Sequence, residues 1–341
     1  MMKRILTYLF AGLFLLPSCG EIPENNDGLL VLTSDRDVVE VGSQVTFSVK
    51  YASVQDVTSM SKIRCVQTSR YIDGNTFVSE QSGQWSFVAE YDGLESEEVV
   101  ITVTDPVQSH FRKHVSVIEF TGQWCAQCPS GATTINYFAT QEYPGLVHIL
   151  AFHNANGGDQ DEFELPQEAE LYKMFNPGGY PGYAIDMKSS GTVTGGNFST
   201  DLSAAIKAKT YCGVALSGKV EGEKASVVAR VISDVASEYR IAAYVIEDKI
   251  VAKQNVNGTY KDDYVHRHVV RKMLSASVLG DALGRLTPGN EANKEYSFAL
   301  DPSWKKENLS VCVMVLGTDG YVANTNECAL DGGVSEYDEI N

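Results

Sequence analysis

Cys125 and Cys128, separated by two residues, constrain this chain more than any other feature of its sequence. An apolar run, Val115 to Phe120, stands just before them, and Pro129 opens a helical pattern over 129–140 just after. A strand that enters a helix through such a pair holds the two sulfurs close enough for a disulfide. The same geometry puts the first cysteine where the helix dipole and free backbone N–H groups favour a thiolate. Thiolate is the species that attacks a disulfide. Cys125 is therefore expected to be an exposed nucleophile and Cys128, one turn further in, the resolving thiol. Zinc sites use the same spacing but ordinarily need two further ligands, and the only candidate is His266-Arg267-His268, far along the chain. No metal is expected, and no other cofactor, because the disulfide itself carries two electrons.

The pattern around the pair is α/β. Val147 to Phe152 predicts a second buried strand, and Leu165 to Phe175 a second helix with Leu171, Met174 and Phe175 on one side. The glycine-rich turn from Asn176 leads through Tyr180-Pro181 into a strand ending at Ile185-Asp186. Strand, helix, strand, helix, strand implies partly parallel pairing. This α/β domain is expected over residues 106–208. Before it, residues 28–105 predict an immunoglobulin-like β-sandwich. Val45, Phe47 and Val49 alternate with polar residues, Asp73-Gly74 signals a hairpin, and Asp105-Pro106 punctuates the end. After it, residues 209–333 predict a second β-sandwich domain. Its strand candidates are Gly213–Gly218, Ser226–Ile232, Ile241–Ile246, Val265–Val270, Tyr296–Leu300 and Val311–Leu316, with turns at Asn257-Gly258 and Asp319-Gly320. On this reading His266 and His268 share one face of a strand and are structural, while His153 is a solvated loop residue. The acidic tail, 334–341, is expected to fray.

The N-terminus reads as an address. Lys3 and Arg4 precede an apolar run from Ile5 to Leu16, too short to span a bilayer but suited to a secretory signal over residues 1–18. Leu16-Pro17-Ser18-Cys19 resembles the lipobox of bacterial lipoproteins, in which the cysteine becomes the lipid-bearing N-terminus. The polar, acidic stretch 19–27 is then a tether, and the lipid on Cys19 is the membrane anchor. The chain has 44 acidic and 27 basic residues and a formal charge of −17. Such a field opposes binding to nucleic acid. Cys65 is expected to be a buried small hydrophobe. Cys212, Cys312 and Cys328 leave their pairing open.

The segment Glu119-Phe120-Thr121-Gly122-Gln123-Trp124-Cys125-Ala126-Gln127-Cys128-Pro129 resembles the active site of the thioredoxin superfamily. That resemblance implies a thioredoxin-like domain. It gives Glu119, six residues before Cys125, the part of a buried acid that moves the resolving thiol's proton. Burial raises a carboxyl pKa, which suits it to that task near neutral pH. Tyr180-Pro181 resembles the superfamily's cis-proline loop, so Pro181 would shape a peptide groove bordered by Trp124 and Tyr180. The dipeptide Ala126-Gln127 matches neither the reducing nor the strongly oxidising members, which leaves the redox poise open.

Most of the mature sequence is similar to the lipoprotein family typified by the twenty-eight-kilodalton outer membrane protein of anaerobic Bacteroidetes. The similarity rests on the lipobox, the β module, the cysteine segment, the Tyr-Pro-Gly-Tyr loop at 180–183 and Tyr264 to Arg271. It implies a lipid-anchored protein of the cell envelope at the outer membrane, on its periplasmic or its surface face. Two functions are then expected to compete. One is a thiol–disulfide oxidoreductase acting on protein thiols and disulfides through Cys125 and Cys128. The other is a binding or structural lipoprotein with a silent thioredoxin-like scaffold.

Overall fold

A computed structural model describes residues 29–156 and 160–340. The signal sequence, Cys19 and the tether lie outside them. Half of the described residues are in strands and 14% in helices. The fold is therefore mostly β, in several sheets, and the chain divides into two compact units after Pro106.

In the first unit the strand Gln44–Tyr51 pairs antiparallel with Leu30–Ser34, and Gln55–Asp56 and Thr76–Val78 pair with it too. A second sheet runs in the order Val38–Glu40, Val99–Thr104, Gly83–Tyr91, Lys62–Cys65, Arg70–Tyr71. Alternation sends Val45, Phe47 and Val49 inward from one sheet to meet Ile63, Phe87, Ala89 and Ile101 from the other, all buried. The Phe47 and Phe87 rings lie 4.7 Å apart. Asp73-Gly74 does not close a hairpin, as the sequence suggests. Arg70–Tyr71 belongs to the second sheet and Thr76–Val78 to the first. The turn changes sheets because Phe77 then packs on Phe87 and Trp85, a long-range gain that outweighs local pairing. Cys65 is buried and, among the described residues, free, as its distance from the other cysteines in the sequence suggests.

In the second unit the longest sheet orders its strands Ser189–Thr192, Gly182–Ile185, Val115–Thr121, Val147–His153, Val269–Met273, Ser237–Glu247, Leu309–Leu316, Val322–Ala329, with Asp281–Leu286 beside 237–247. Val115–Thr121 and Val147–His153 are parallel, and Gly182–Ile185 runs antiparallel to the first. Helix α1 is Cys128–Tyr137, α2 Pro166–Phe175 and α3 Phe198–Ile206. Strand 115–121 is buried throughout, because helices cover both of its faces. Val115 and Val117 pack with Ile135 of α1 and with Phe198 and Leu202 of α3, while Ile118 and Phe120 pack with Leu171 of α2. A second sheet, Glu291–Ala299, Lys224–Ser233, Cys212–Glu221, Val334–Ser335, closes a β core centred on Val227, Val231, Ile241 and Val313.

The longest sheet takes strands from both sides of residue 208. The junction is one parallel pair, Ala151 with Val269, in which the Ala151 N–H donates to His268 O. The tail is docked rather than frayed. Val334 and Ser335 pair with 212–221, Asp338 meets Arg112 and His114, and the Tyr337 hydroxyl donates to Glu291. Nor do His266 and His268 share a strand face. His266 ends the strand Thr259–His266, and His268 takes a left-handed φ of 54° that lets the chain enter the long sheet at Val269. Cys212, Cys312 and Cys328 are buried and, among the described residues, unpaired, their thiols pushed up by burial.

Candidate functional site

Cys125 and Cys128 form a disulfide with their Cα atoms 5.4 Å apart. Cys128 opens α1, and its buried face continues through Gly131 and Ile135 at helical spacing. Glu119 lies on the same face of its strand as Val115 and Val117, the face that α1 covers, which brings it under the first turn of that helix. Glu119 and Cys128 line one small cavity of about 30 Å³, shared with His153, Tyr264 and His266. Glu119 is buried and its Oε1 has no hydrogen-bond partner among the described residues. Burial alone raises its pKa to about 8.

The peptide bond Tyr180–Pro181 is cis, and Pro181 packs directly on α1. Alanine is normally favoured over glycine in a helix interior by about 1 kcal/mol. At Gly131 the sign should reverse. A Cβ there would lie 2.5 Å from both Cβ and Cγ of Pro181, and a proline ring cannot rotate away. Gly131→Ala is expected to destabilise the chain by about 1–3 kcal/mol in chemical denaturation. A variant as stable as the parent would show that the loop can yield.

Trp124 and Tyr180 stand side by side, their rings edge to face at 5.2 Å. Their polar ends are used internally. Trp124 Nε1 donates to Asn154 O, and the Tyr180 hydroxyl donates to Glu168 and accepts from Asn154 Nδ2. Glu168 is buried on α2 and its carboxyl is pushed upward by burial. The Tyr180 hydroxyl is also pushed up, by burial and by the Glu168 bond.

The expected exposure of Cys125 is not found. It is 4% exposed and Cys128 1%. The cover is a hairpin, Ile250–Val256 with Thr259–His266, which forms a two-stranded sheet of its own. Its turn is Asn257-Gly258, both at positive φ, the preferred chemistry of a two-residue hairpin turn. Six hydrogen bonds tie it to residues 122–126. The N–H groups of Asn255 and Asn257 donate to Gln123 O and Ala126 O. Gln254 Nε2 donates to Gly122 O and Cys125 O, Asn255 Nδ2 to Trp124 O, and Gln123 Nε2 back to Lys253 O. The sequence marks the turn, but the polar run Lys253-Gln254-Asn255 gives no sign that it serves a segment some 130 residues away.

Nor is His153 solvated. It is buried at the end of its strand, with Nδ1 2.9 Å from Asp161 Oδ2. Burial would raise the Asp161 pKa, but the bonds from His153 and from the N–H groups of Gln123 and Phe163 outweigh it and hold the carboxyl low. His266 is packed edge-on against His153, Phe163 and Tyr264. Burial lowers its pKa to about 4, so it is neutral at physiological pH. Among the described residues no group of three or more acidic, histidine or cysteine side chains is arranged to hold a metal ion.

Residues 168–332 match the family model described as outer membrane protein Omp28. No curated protein matches the chain. HBP35 of Porphyromonas gingivalis is similar in structure at 20% identity, over 65% of this chain and 77% of that one, with a TM-score of 0.54. This shows a shared fold. A protein from Agrobacterium tumefaciens is similar at 14% identity over 64% of this chain and 96% of its own, with a TM-score of 0.43. A domain of the outer membrane lipoprotein Omp28 from Porphyromonas gingivalis is similar at 16% identity over 36% of this chain and 89% of its own, with a TM-score of 0.26. The match over 168–332, just under half of the chain, supports the Omp28 type and a place at the outer membrane of the bacterial cell envelope.

Proposed function

We propose that the protein is a binding or structural lipoprotein of the outer membrane, built on a thioredoxin-like frame whose disulfide braces rather than reacts. The observation that carries this reading is the burial of both cysteines beneath the 250–266 hairpin. Exchange requires a thiolate to reach a disulfide sulfur, and the hairpin stands over the segment that holds it. The disulfide then fixes the loop 122–128, to which the hairpin is bonded. The test is the equilibrium reduction potential of the full chain in dithiothreitol or glutathione buffers. A value below about −300 mV, as in structural disulfides, is expected. A value between about −270 and −120 mV, the span of exchange enzymes, would overturn it.

A second reading, thiol–disulfide exchange with protein substrates, is favoured by one specific observation. Glu119 is a buried acid beside Cys128 whose Oε1 has no bonding partner among the described residues, its pKa raised to about 8. In this reading Cys125 attacks, Cys128 resolves, Glu119 carries the proton, and Pro181, Trp124 and Tyr180 border the substrate. It requires the turn end of the hairpin, which holds the bonds to 122–126, to lift while His266 at the opposite end stays in place. Gln254→Ala with Asn255→Ala removes three of the six bonds that hold it, roughly 2–3 kcal/mol in all. The reduced protein should then be alkylated at Cys125 by iodoacetamide about 30- to 100-fold faster, since about 1.4 kcal/mol is a factor of ten. An unchanged rate would mean that the hairpin does not control access.

A further inference from the structure

We infer that the hairpin does more than cover the disulfide: with His266, beside the His153–Asp161 pair, it completes a proton site for Cys128. This rests on the exchange reading, in that the proton moves only when the disulfide opens or closes.

The inference starts from two ring nitrogens. His266 Nε2 lies 3.3 Å from Lys253 O. A carbonyl only accepts, so Nε2 carries the hydrogen and Nδ1 is bare. The Asp161 carboxylate likewise only accepts, so the His153 ring donates to it from Nδ1. Both rings line the cavity that holds Glu119 and Cys128. Glu119, protonated at neutral pH, brings to that cavity a donor without a partner. Tyr264 and Arg267 line it as well. A cavity of this size and polarity accommodates a water molecule that bridges such groups.

Each proton then has a route. When a thiolate attacks Cys125 Sγ, the S–S bond breaks and its electron pair leaves on Cys128 Sγ. That sulfur takes the Glu119 proton and becomes a thiol. Glu119 is left as a buried anion, which draws positive charge to the neutral His266 ring beside it. A proton entering from solvent is held on a bare imidazole nitrogen and passed to the carboxylate. With dithiothreitol as the reductant, its second thiolate attacks the sulfur it placed on Cys125. The reductant leaves as its cyclic disulfide, having supplied two electrons, and Cys125 is freed as a thiolate that takes a proton from solvent. Oxidation runs the same path backwards.

The test follows the rate at which dithiothreitol reduces the disulfide of the full chain in detergent between pH 6 and 9, normalised to the thiolate content of the reagent. His266→Gln keeps an N–H for Lys253 O and an acceptor for the cavity but cannot take a proton. His266→Phe keeps the aromatic packing against Phe163 and His153. Both variants should reduce about tenfold more slowly than the parent between pH 6 and 8, at the low end of general acid–base effects, and should converge on it at pH 9. A purely structural role would slow the two unequally and in parallel with their loss of melting temperature. Parental rates in His266→Gln would overturn the proton site. A potential in the range of structural disulfides, with this pH dependence intact, would sink the exchange reading and leave the proton site standing. An enzyme-like potential with parental His266→Gln rates would do the reverse.

Discussion

Lys113→Met is expected to cost the second unit roughly 3–5 kcal/mol, the usual penalty for removing one partner of a buried ion pair. A loss of that size lowers the melting temperature by about 10 °C for a unit of this length. Lys113 Nζ is 2.8 Å from Asp186 Oδ2, and both side chains are less than a tenth exposed. The ammonium also donates to Val322 O and Ala323 O, so its three hydrogens have three acceptors. Asp186 Oδ1 accepts from the Ser116 N–H and from the Ser116 hydroxyl. The pair thus ties the start of strand 115–121 to the end of 182–185 and to 322–329. Burial nonetheless pushes the Asp186 carboxyl upward, although Lys113 and the Ser116 bonds pull it down. Without the lysine only the two Ser116 bonds offset the burial penalty, and the carboxyl must take a proton or remain a charge without a counterion. Lys113→Met with Asp186→Asn should recover part of the loss, because the second change removes the stranded charge. A single variant within about 1 kcal/mol of the parent in urea unfolding would show that the pair contributes no more than an exposed one.

What the sequence made legible was local, and what it hid was long-range. The apolar run 115–120, the helical pattern over 129–140 and the strand alternation of 45–49 all follow from patterns within ten residues. The turn at Asn257-Gly258 was readable for the same reason. By contrast, the pairing that carries the long sheet across residue 208 is a backbone bond from Ala151 to His268 O, which leaves no trace in side-chain pattern. Asp338 reads as part of a solvated acidic tail until Arg112 and His114, over 200 residues earlier, are placed beside it. The site divides in the same way. Cys125 and Cys128 announce themselves by spacing, and Glu119 and Pro181 by the resemblance of their segments to the thioredoxin superfamily. His266, Gln254 and Asn255 do not, because what they bond to is backbone and cavity brought from another part of the chain.

Glu119→Gln should leave stability near that of the parent at pH 4.5 and raise it by roughly 3 kcal/mol at pH 7, measured on the oxidised protein. The sign follows from the raised pKa. The folded state keeps the Glu119 proton up to about pH 8, while the unfolded chain releases it near the ordinary carboxyl value. Between those limits the folded state binds more protons, so the contribution of Glu119 is fully present below about pH 4.5 and is lost as the pH climbs toward 8. At about 1.4 kcal/mol per pH unit the loss reaches roughly 3 kcal/mol at neutrality. His266 has the opposite slope. Its folded pKa of about 4 lies below its unfolded value, so its contribution improves as pH rises out of the acid range. That slope is common to both proteins and cancels in the difference between them. A parent and variant whose unfolding free energies run parallel from pH 4.5 to 8 would show that Glu119 ionises at an ordinary pKa. The acid beside Cys128 would then be solvated, and it could not hold a proton for that thiol at neutral pH.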